Sequence, residues 1–167
     1  MNFDEFEKDN EFFNNTEEID FEHDYEVSEE DVYYEDDYSL SSDYEDVNDA
    51  SLVLYLTDGT FRALMMGDGA KAAEEAVFKR GIKDVTLLKV AHHGSAKGSN
   101  SEAFLQSVSA QIAVISCAKN NSYGHPHNET LQYLEHSETD VYRTDLQGAI
   151  RILIEHDGVR VIPYRIP

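Results

Sequence analysis

Three short polar motifs carry side chains that can bind a metal ion or move a proton. They are Gly67-Asp68-Gly69, His92-His93-Gly94-Ser95 and Asn121-Ser122-Tyr123-Gly124-His125-Pro126. Each follows a predicted strand, and the carboxyl ends of strands in an open α/β sheet lie along one edge, where ligands bind. We therefore expect the three loops to converge. Together they offer one carboxylate and three imidazoles, a ligand set suited to zinc or manganese.

Each motif also has a purely structural interpretation. Gly-Asp-Gly is a common turn, in which Asp68 would cap the following helix. His92 and His93 could form a structural pair, and His125 could bind backbone groups within its loop. His23 stands beside an aspartate in an acidic region, and a metal role there is disfavoured. The order and spacing of the three motifs, rather than any one alone, favour the metal interpretation.

The elements that would position these motifs alternate between strands and helices. Two apolar runs flank Asp58-Gly59, a sequence typical of a hairpin turn. Helices and strands alternate after it. The expected segments are strands at 51–57 and 60–66, a helix at 70–80, a strand at 85–91, a helix at 101–108, a strand at 111–117, a helix near 127–137, a strand at 140–144 and a final hairpin around Asp157-Gly158. This alternation predicts an α/β fold with helices packed on a sheet.

Charge is distributed very unevenly along the chain. The 167 residues include 34 acidic and 13 basic side chains, and residues 1–50 hold 21 of the acids and only one of the bases. An acidic tract with few aliphatic residues cannot bury enough apolar surface to offset its ordering entropy. We therefore expect residues 1–47 to be a disordered acidic segment and residues 48–167 to form the folded domain. The acidic segment could be a solvating tail or could bind a basic partner.

The cysteine content and the N-terminal sequence indicate a cellular location. Cys117 is the only cysteine, which excludes a disulfide framework and a thiolate zinc cluster. The N-terminus lacks the pattern of a signal peptide, and no apolar run approaches the ~18 residues of a membrane helix. These features predict a soluble, cytoplasmic chain without a membrane segment.

From Asn48 to Pro167 the sequence resembles the metallo-β-lactamase fold, in the branch found as the C-terminal hydrolase domain of the DNA-uptake competence protein ComEC. The resemblance implies that these residues form the C-terminal half of an αββα sandwich. The segments that carry it are NDASLVL (48–54), Met66-Gly67-Asp68 with Glu74, LLKVAHHGS (87–95), AVIS (113–116), N-x-Y-G-H-P (121–126) and VYRTDLQGAI (141–150).

The resemblance also implies a metal-dependent hydrolase with two zinc or manganese ions. Asp68 would bridge the ions, His92 or His93 would ligate one of them, and the metals would supply a hydroxide. His125 would be the catalytic residue that contacts the substrate or the leaving group. The implied substrate is a nucleic-acid phosphodiester. Three residues would contact the substrate or support the ligands: Ser95, Asn121 and Tyr123.

The first half of the family fold, which carries a ligand motif of the type H-x-H-x-D-H or S-H-x-D-x-D-H, has no counterpart in this sequence. Its absence would leave one apolar face of the sheet without a partner layer. Three interpretations follow. The chain could be a hydrolase half that needs an N-terminal partner half or another protein. It could be a non-catalytic binding or regulatory module with an acidic interaction tail, or an esterase that binds metal weakly through Asp68, His92, His93 and His125.

Overall fold

The computed structural model describes residues 47–155 and 158–165. They form a mixed α/β fold with one five-stranded sheet and a separate two-stranded sheet, which confirms the predicted α/β class. The acidic segment and His23 lie outside the described residues, so the predicted disorder and the domain boundary at residues 47–48 stay predictions. Within the described ranges no helix is long and apolar enough to cross a membrane.

Every strand and helix expected from the sequence is present in the described part of the chain. The strands are β1 (Leu54–Asp58), β2 (Phe61–Met65), β3 (Leu87–Lys89), β4 (Ile112–Ile115), β5 (Asp140–Arg143), β6 (Ile150–Glu155) and β7 (Gly158–Pro163). The helices are α1 (Lys71–Lys79), α2 (Glu102–Val108), α3 (Asn128–His136) and α4 (Thr144–Gln147). The short helix α4 was not predicted, because a single turn leaves no periodic apolar pattern.

The large sheet has the strand order β1-β2-β3-β4-β5. β1 and β2 form an antiparallel hairpin, and the pairs from β2 to β5 are parallel. Consecutive parallel strands joined by right-handed crossovers place their helices on the same face of a sheet. Leu64, Leu88 and Ala113 are register partners on that face, and all three are buried in the core with Phe104 of α2 and Leu134 of α3.

The opposite face of the large sheet is only partly covered. Because side chains alternate along a strand, the row next to Leu64 and Leu88 points the other way. That row contains Leu54, Met65, Lys89, Val114 and Tyr142, and none of these residues is buried. In the next row of the same face Ala63 and Leu87 are buried, whereas Leu54 is 44% exposed and Leu56 is 52% exposed. One face of the sheet therefore carries a helical layer, while the other leaves apolar side chains exposed at its β1 edge.

Several strands are shorter than the apolar runs that predicted them. Val85, Val90 and Ala91 flank β3 and are fully buried, yet they lie outside the strand. The amide of Val85 donates to the carbonyl of Val108, and the amide of Ala91 donates to the side chain of Asn100. An apolar run predicts burial, whereas the length of a strand depends on which partners its backbone finds.

Candidate functional site

The three polar loops meet at the carboxyl ends of β2, β3 and β4. Nε2 of His93 lies 3.6 Å from Oδ1 of Asp68. The ring centroid of His125 lies 5.6 Å from that of His92 and 6.4 Å from that of His93. The structure thus brings together the four residues that the sequence proposed as ligands and catalytic residue. Their roles stay predictions, since geometry alone does not assign them.

The histidine pair sits in a tight turn, Ala91–Gly94, with an unusual backbone. His92 (φ 44°, ψ 47°) and His93 (φ 55°, ψ 20°) both adopt left-handed conformations, which residues other than glycine rarely occupy. The amide of His92 donates to the carbonyl of Gly67, at 3.0 Å, and so joins this turn to the loop that carries Asp68. Such strain persists only where the surrounding structure holds it in place.

Asn100 holds the histidine turn from inside the fold. Its side chain is fully buried, and its Oδ1 accepts a hydrogen bond from the amide of Ala91 at 3.2 Å. Its Nδ2 donates to the carbonyls of Ala91 (3.0 Å) and Ser95 (2.7 Å). The sequence analysis did not identify Asn100, because an asparagine in a Ser/Gly/Lys-rich loop is usually exposed.

Gly94 allows the histidine turn to pack against the loop that carries His125. A Cβ atom on Gly94 would lie 2.6 Å from Cβ of Pro126, and the residue has φ +85°. Its carbonyl accepts a hydrogen bond of 3.0 Å from the amide of His127. A side chain at position 94 would therefore push the two loops apart.

The hydrogen bond of His93 fixes its ring orientation. Nδ1 of His93 lies 2.7 Å from the carbonyl oxygen of Ser116. A carbonyl only accepts, so Nδ1 carries the hydrogen, and the neutral ring presents an unprotonated Nε2 toward Asp68. Histidines that ligate metals commonly donate their other ring N–H in this way. The geometry therefore favours His93 over His92 as the candidate ligand.

His127 has the opposite arrangement and was missed in the sequence analysis. Its Nδ1 accepts a hydrogen bond of 2.9 Å from the amide of Ala96, so in the neutral ring the hydrogen is on Nε2. Its ring centroid lies 4.8 Å from that of His125. Only its position two residues after His125 marks it in the sequence. The cluster thus contains one imidazole with a free Nε2 lone pair and one with an Nε2–H donor.

The backbone of His125 is clamped by Asn121. Oδ1 of Asn121 accepts from the amide of His125 at 2.9 Å, and Nδ2 donates to its carbonyl at 2.6 Å. Desolvation, followed by the repulsion expected from protonated His127 and His92, lowers the pKa of His125 below its usual value. The lowered pKa favours the neutral form of the His125 ring.

Gly67-Asp68-Gly69 forms a turn, as expected, in which the amide of Gly69 donates to the carbonyl of Met66 at 2.9 Å. Asp68 does not cap α1, whose N-cap residue is Ala70, so the predicted capping role is wrong. The first turn of α1 is instead capped from a distance, where the amide of Ala72 donates to Oδ1 of Asp49 at 3.0 Å. The Asp68 side chain is 45% exposed and faces His93. Asp49 lies too far from the helix in sequence, at 23 residues, to have been predicted as its cap.

Three further residues complete the surroundings of the cluster. Ser95 is buried, and its Oγ accepts from the amide of Lys97, so it supports the loop rather than facing solvent. Tyr123 is 77% exposed and stacks on His125. Burial lowers the pKa of Lys89, against the opposing effects of Asp68 and Cys117, so this lysine adds a partly buried cation beside Asp68.

The residues present do not close a metal site among themselves. In the described part of the chain, no group of three or more His, Cys, Asp or Glu side chains is arranged to hold a metal ion. Asp68 and His93 face each other, but the other two rings lie farther off, and a zinc site usually needs at least three protein ligands. The zinc or manganese pair implied by the family resemblance therefore does not fit the described residues alone.

The fold and the cluster define an α/β domain with histidines and an aspartate at the carboxyl edge of a mostly parallel sheet. No family model matches the chain. It is 42% identical over 106 residues to ComE operon protein 3 of Bacillus subtilis, 32% over 114 residues to Recombination protein 2 of Haemophilus influenzae, and 33% over 123 residues to Competence protein ComA of Neisseria gonorrhoeae. These matches cover 62%, 68% and 72% of this chain.

The chain is much shorter than these relatives. The matched regions span 13%, 14% and 18% of the three proteins, so the similarity concerns one segment of each. Their names point to the ComEC-like family of competence proteins, which is the branch that the sequence motifs resemble. The similarity does not extend to the other parts of those proteins.

Proposed function

We propose that this chain acts in DNA uptake, as part of a metal-dependent hydrolase of metallo-β-lactamase fold that cleaves nucleic-acid phosphodiesters. The observation that carries the proposal is the pairing of Asp68 with Nε2 of His93, whose Nδ1 donates to the carbonyl of Ser116, at the carboxyl edge of the sheet. The similarity to competence proteins supports the biological role.

Each polar residue has a definite task in this proposal. Asp68 and His93 offer an oxygen and a nitrogen donor at 3.6 Å from each other. His125, whose lowered pKa favours the neutral ring, accepts a proton or contacts a phosphoryl oxygen. His127 presents an Nε2–H donor beside it. The side chain of Asn121 holds the backbone of His125 in place. The loop is therefore already ordered before a substrate contacts it.

The proposal requires ligands from outside the described residues. Two facing donors are fewer than a catalytic metal needs, so the rest must come from a partner half or another segment. The partly exposed apolar face with Leu54 and Leu56 supports this requirement, because a second layer packed there would complete a sandwich. The small share of each relative that the chain spans is consistent with a missing partner segment.

A second candidate function is a non-catalytic binding or regulatory module. The observation that favours it is the lack, among the described side chains, of any group of three metal donors. In that case Asp68 and His93 would be remnants of a site, and the acidic N-terminal sequence would mediate interaction. The two candidates differ in metal content and in turnover, which can be measured directly.

The test is elemental analysis of the purified chain together with turnover of bis-p-nitrophenyl phosphate in added zinc or manganese. Wild type is compared with Asp68→Ala and His93→Ala. His136→Ala is the matched control, because this exposed histidine pairs with Glu102 away from the cluster. The hydrolase proposal expects bound metal and turnover when another segment or an added partner half supplies the remaining ligands, and the first two substitutions should then abolish both while the control retains them. A purified chain without metal or turnover fits either a half that lacks its partner or a binding module. Dye binding or association of that chain would favour the half, and a tight monomer would favour the module.

A further inference from the structure

Three aromatic rings of the site lie in nearly parallel planes. The rings of Tyr123 and His125 have centroids 5.7 Å apart and an interplanar angle of 21°. The rings of His125 and His93 have centroids 6.4 Å apart and the same angle of 21°. We call Tyr123, His125 and His93 the ring column. Its inner end is the ring that faces Asp68, and its outer end is Tyr123.

Tyr123 is the exposed end of the ring column. It is 77% exposed, the largest exposed fraction among the large apolar and aromatic side chains of the described residues. One side of its ring contacts His125, and the remaining surface faces solvent. A tyrosine gains little stability from such a position, since most of its apolar area stays in water. A large aromatic side chain that stacks on a neighbouring ring and is left mostly exposed is typical of a surface that contacts a ligand.

The loop around Tyr123 is held in place before any ligand arrives. Nδ2 of Asn121 donates to the carbonyls of Ala118 and His125, and its Oδ1 accepts from the amide of His125. These bonds anchor the chain on both sides of Tyr123. Because the loop is already ordered, a ligand that stacks on the ring loses little affinity to ordering the protein.

We propose that Tyr123 is a stacking platform for an unpaired nucleobase, which places the adjoining phosphodiester over His125 and the Asp68–His93 pair. This inference rests on the proposed function and narrows its substrate to nucleic acid with an unpaired base beside the scissile bond. Bases stack on aromatic side chains with little regard to sequence, since every base has a π-face. In a duplex both faces of an internal base are already stacked, so Tyr123 reaches only a single strand or an end.

Charge supports a binding mode that depends on stacking. Residues 51–167 contain 13 acidic and 12 basic side chains, so this part of the chain has almost no net charge. Proteins that bind nucleic acid through many phosphate contacts lose affinity steeply with salt, because counterions are released. A nearly neutral domain makes few such contacts. We therefore expect binding that depends on Tyr123. In the full chain it should not weaken as salt rises, because residues 1–50, with 21 acids and one base, repel phosphates less when salt screens them.

The experiment titrates the full chain into single-stranded oligonucleotides that carry 2-aminopurine, whose fluorescence is quenched by stacking. The chain contains no tryptophan, so the protein contributes little background at these wavelengths. Wild type is compared with Tyr123→Ala and Tyr123→Phe. Tyr164→Ala is the matched control, because Tyr164 is 67% exposed and lies beside Gly148, outside the ring column.

We expect Tyr123→Ala to weaken binding by about 5- to 150-fold, which corresponds to about 1 to 3 kcal/mol for the loss of one base stack. Tyr123→Phe should bind like wild type, because it keeps the aromatic face, and so should Tyr164→Ala. A duplex with an internal 2-aminopurine should show little quenching. The proposal is overturned if Tyr123→Ala binds as tightly as wild type, if duplex and single strand quench equally, or if wild type quenches neither.

Quenching and phosphodiester turnover are measured separately on wild type and on Tyr123→Ala, which separates this inference from the proposed function. Loss of quenching in Tyr123→Ala tests the stacking site whether or not the chain hydrolyses phosphodiesters. Quenching that depends on Tyr123 without any turnover would retain the stacking site and remove the hydrolase. Turnover together with quenching that is equal in wild type and Tyr123→Ala would retain the hydrolase and remove the stacking site.

Discussion

Two sets of polar residues around the loops differ in burial and in hydrogen bonding. Glu74 and Asn100 form a buried set whose side chains bond to backbone groups of other loops. Asp68, His93 and Tyr123 form an exposed set, with Asp68 and His93 each close to half exposed. The difference shows that loop geometry is fixed from inside the fold, while the groups able to do chemistry stay accessible. Substitutions in the two sets should therefore have different consequences for stability.

Gly94→Ala should have the largest effect on stability. The added Cβ atom would lie 2.6 Å from Cβ of Pro126, and residue 94 has φ +85°. Left-handed strain and overpacking together should lower the free energy of unfolding by about 3 to 5 kcal/mol. Urea denaturation monitored by circular dichroism measures the change.

Gly98→Ala is the control for that substitution. Gly98 has φ +74°, and nothing lies within 4 Å of the Cβ it would gain. It should lose only the left-handed strain, about 1 to 2 kcal/mol. Equal losses at positions 94 and 98 would contradict a tight contact between the histidine turn and Pro126.

Asn100→Ala should have the next largest effect. The substitution leaves the amide and carbonyl of Ala91 and the carbonyl of Ser95 without this partner in a buried place. Unsatisfied buried groups cost about 1 to 3 kcal/mol each, and partial entry of water should hold the total to about 2 to 4 kcal/mol. Because Asn100 also holds the turn, the hydrogen bond from His93 to Ser116 should weaken, which the His93 ring signals in NMR spectra report.

Gln106→Ala provides the comparison for Asn100→Ala. Gln106 is an exposed amide whose hydrogen bond to Glu102, at 3.4 Å, lies on the surface of α2. Its removal should change the free energy of unfolding by less than about 0.5 kcal/mol. If both variants unfold alike, Asn100 is not part of a buried scaffold.

Glu74→Gln should change the pH dependence of stability. Glu74 accepts hydrogen bonds from the amide and hydroxyl of Ser101, and burial raises its pKa above the usual 4.5. A raised pKa in the folded state means that the group's favourable contribution is present below pH 4.5 and is lost as the pH rises through the folded pKa. Wild type should therefore gain stability relative to Glu74→Gln between pH 7 and pH 4.

The neighbouring residue Glu75 serves as the control for pH. It is exposed, and its partner Lys71 lies 3.9 Å away on the same helix face. The difference in unfolding free energy between wild type and Glu75→Gln is measured over the same pH range for comparison. A Glu74→Gln difference that does not change with pH would mean that burial does not shift the pKa of Glu74.

Much of the fold could be predicted because apolar periodicity reports burial, and burial decides which segments become strands and helices. The same reasoning placed Asp68 and the histidines at one sheet edge. It missed Asn100 and His127, whose partners lie 9 and 31 residues away in the chain. A residue type does not reveal a distant hydrogen-bond partner, so the buried set was largely invisible in the sequence. The exposed set was visible because its residue types are those that chemistry requires.

Asp68→Asn should have the smallest effect on stability. Asp68 and His93 are exposed to similar extents, 45% and 48%, and a contact between exposed side chains contributes about 0 to 1 kcal/mol even when both are charged. The free energy of unfolding should therefore change by less than about 0.5 kcal/mol.

Under the hydrolase proposal, Asp68→Asn should weaken metal binding much more than it changes stability. An amide oxygen is a weaker ligand than a carboxylate for zinc or manganese. Isothermal titration with zinc, alongside urea denaturation, measures both quantities on the same protein. A loss of stability as large as that of Asn100→Ala would place Asp68 in the buried set and contradict the division. Unchanged stability with weaker zinc binding would show that Asp68, in the exposed set, contributes to metal binding and not to the stability of the fold.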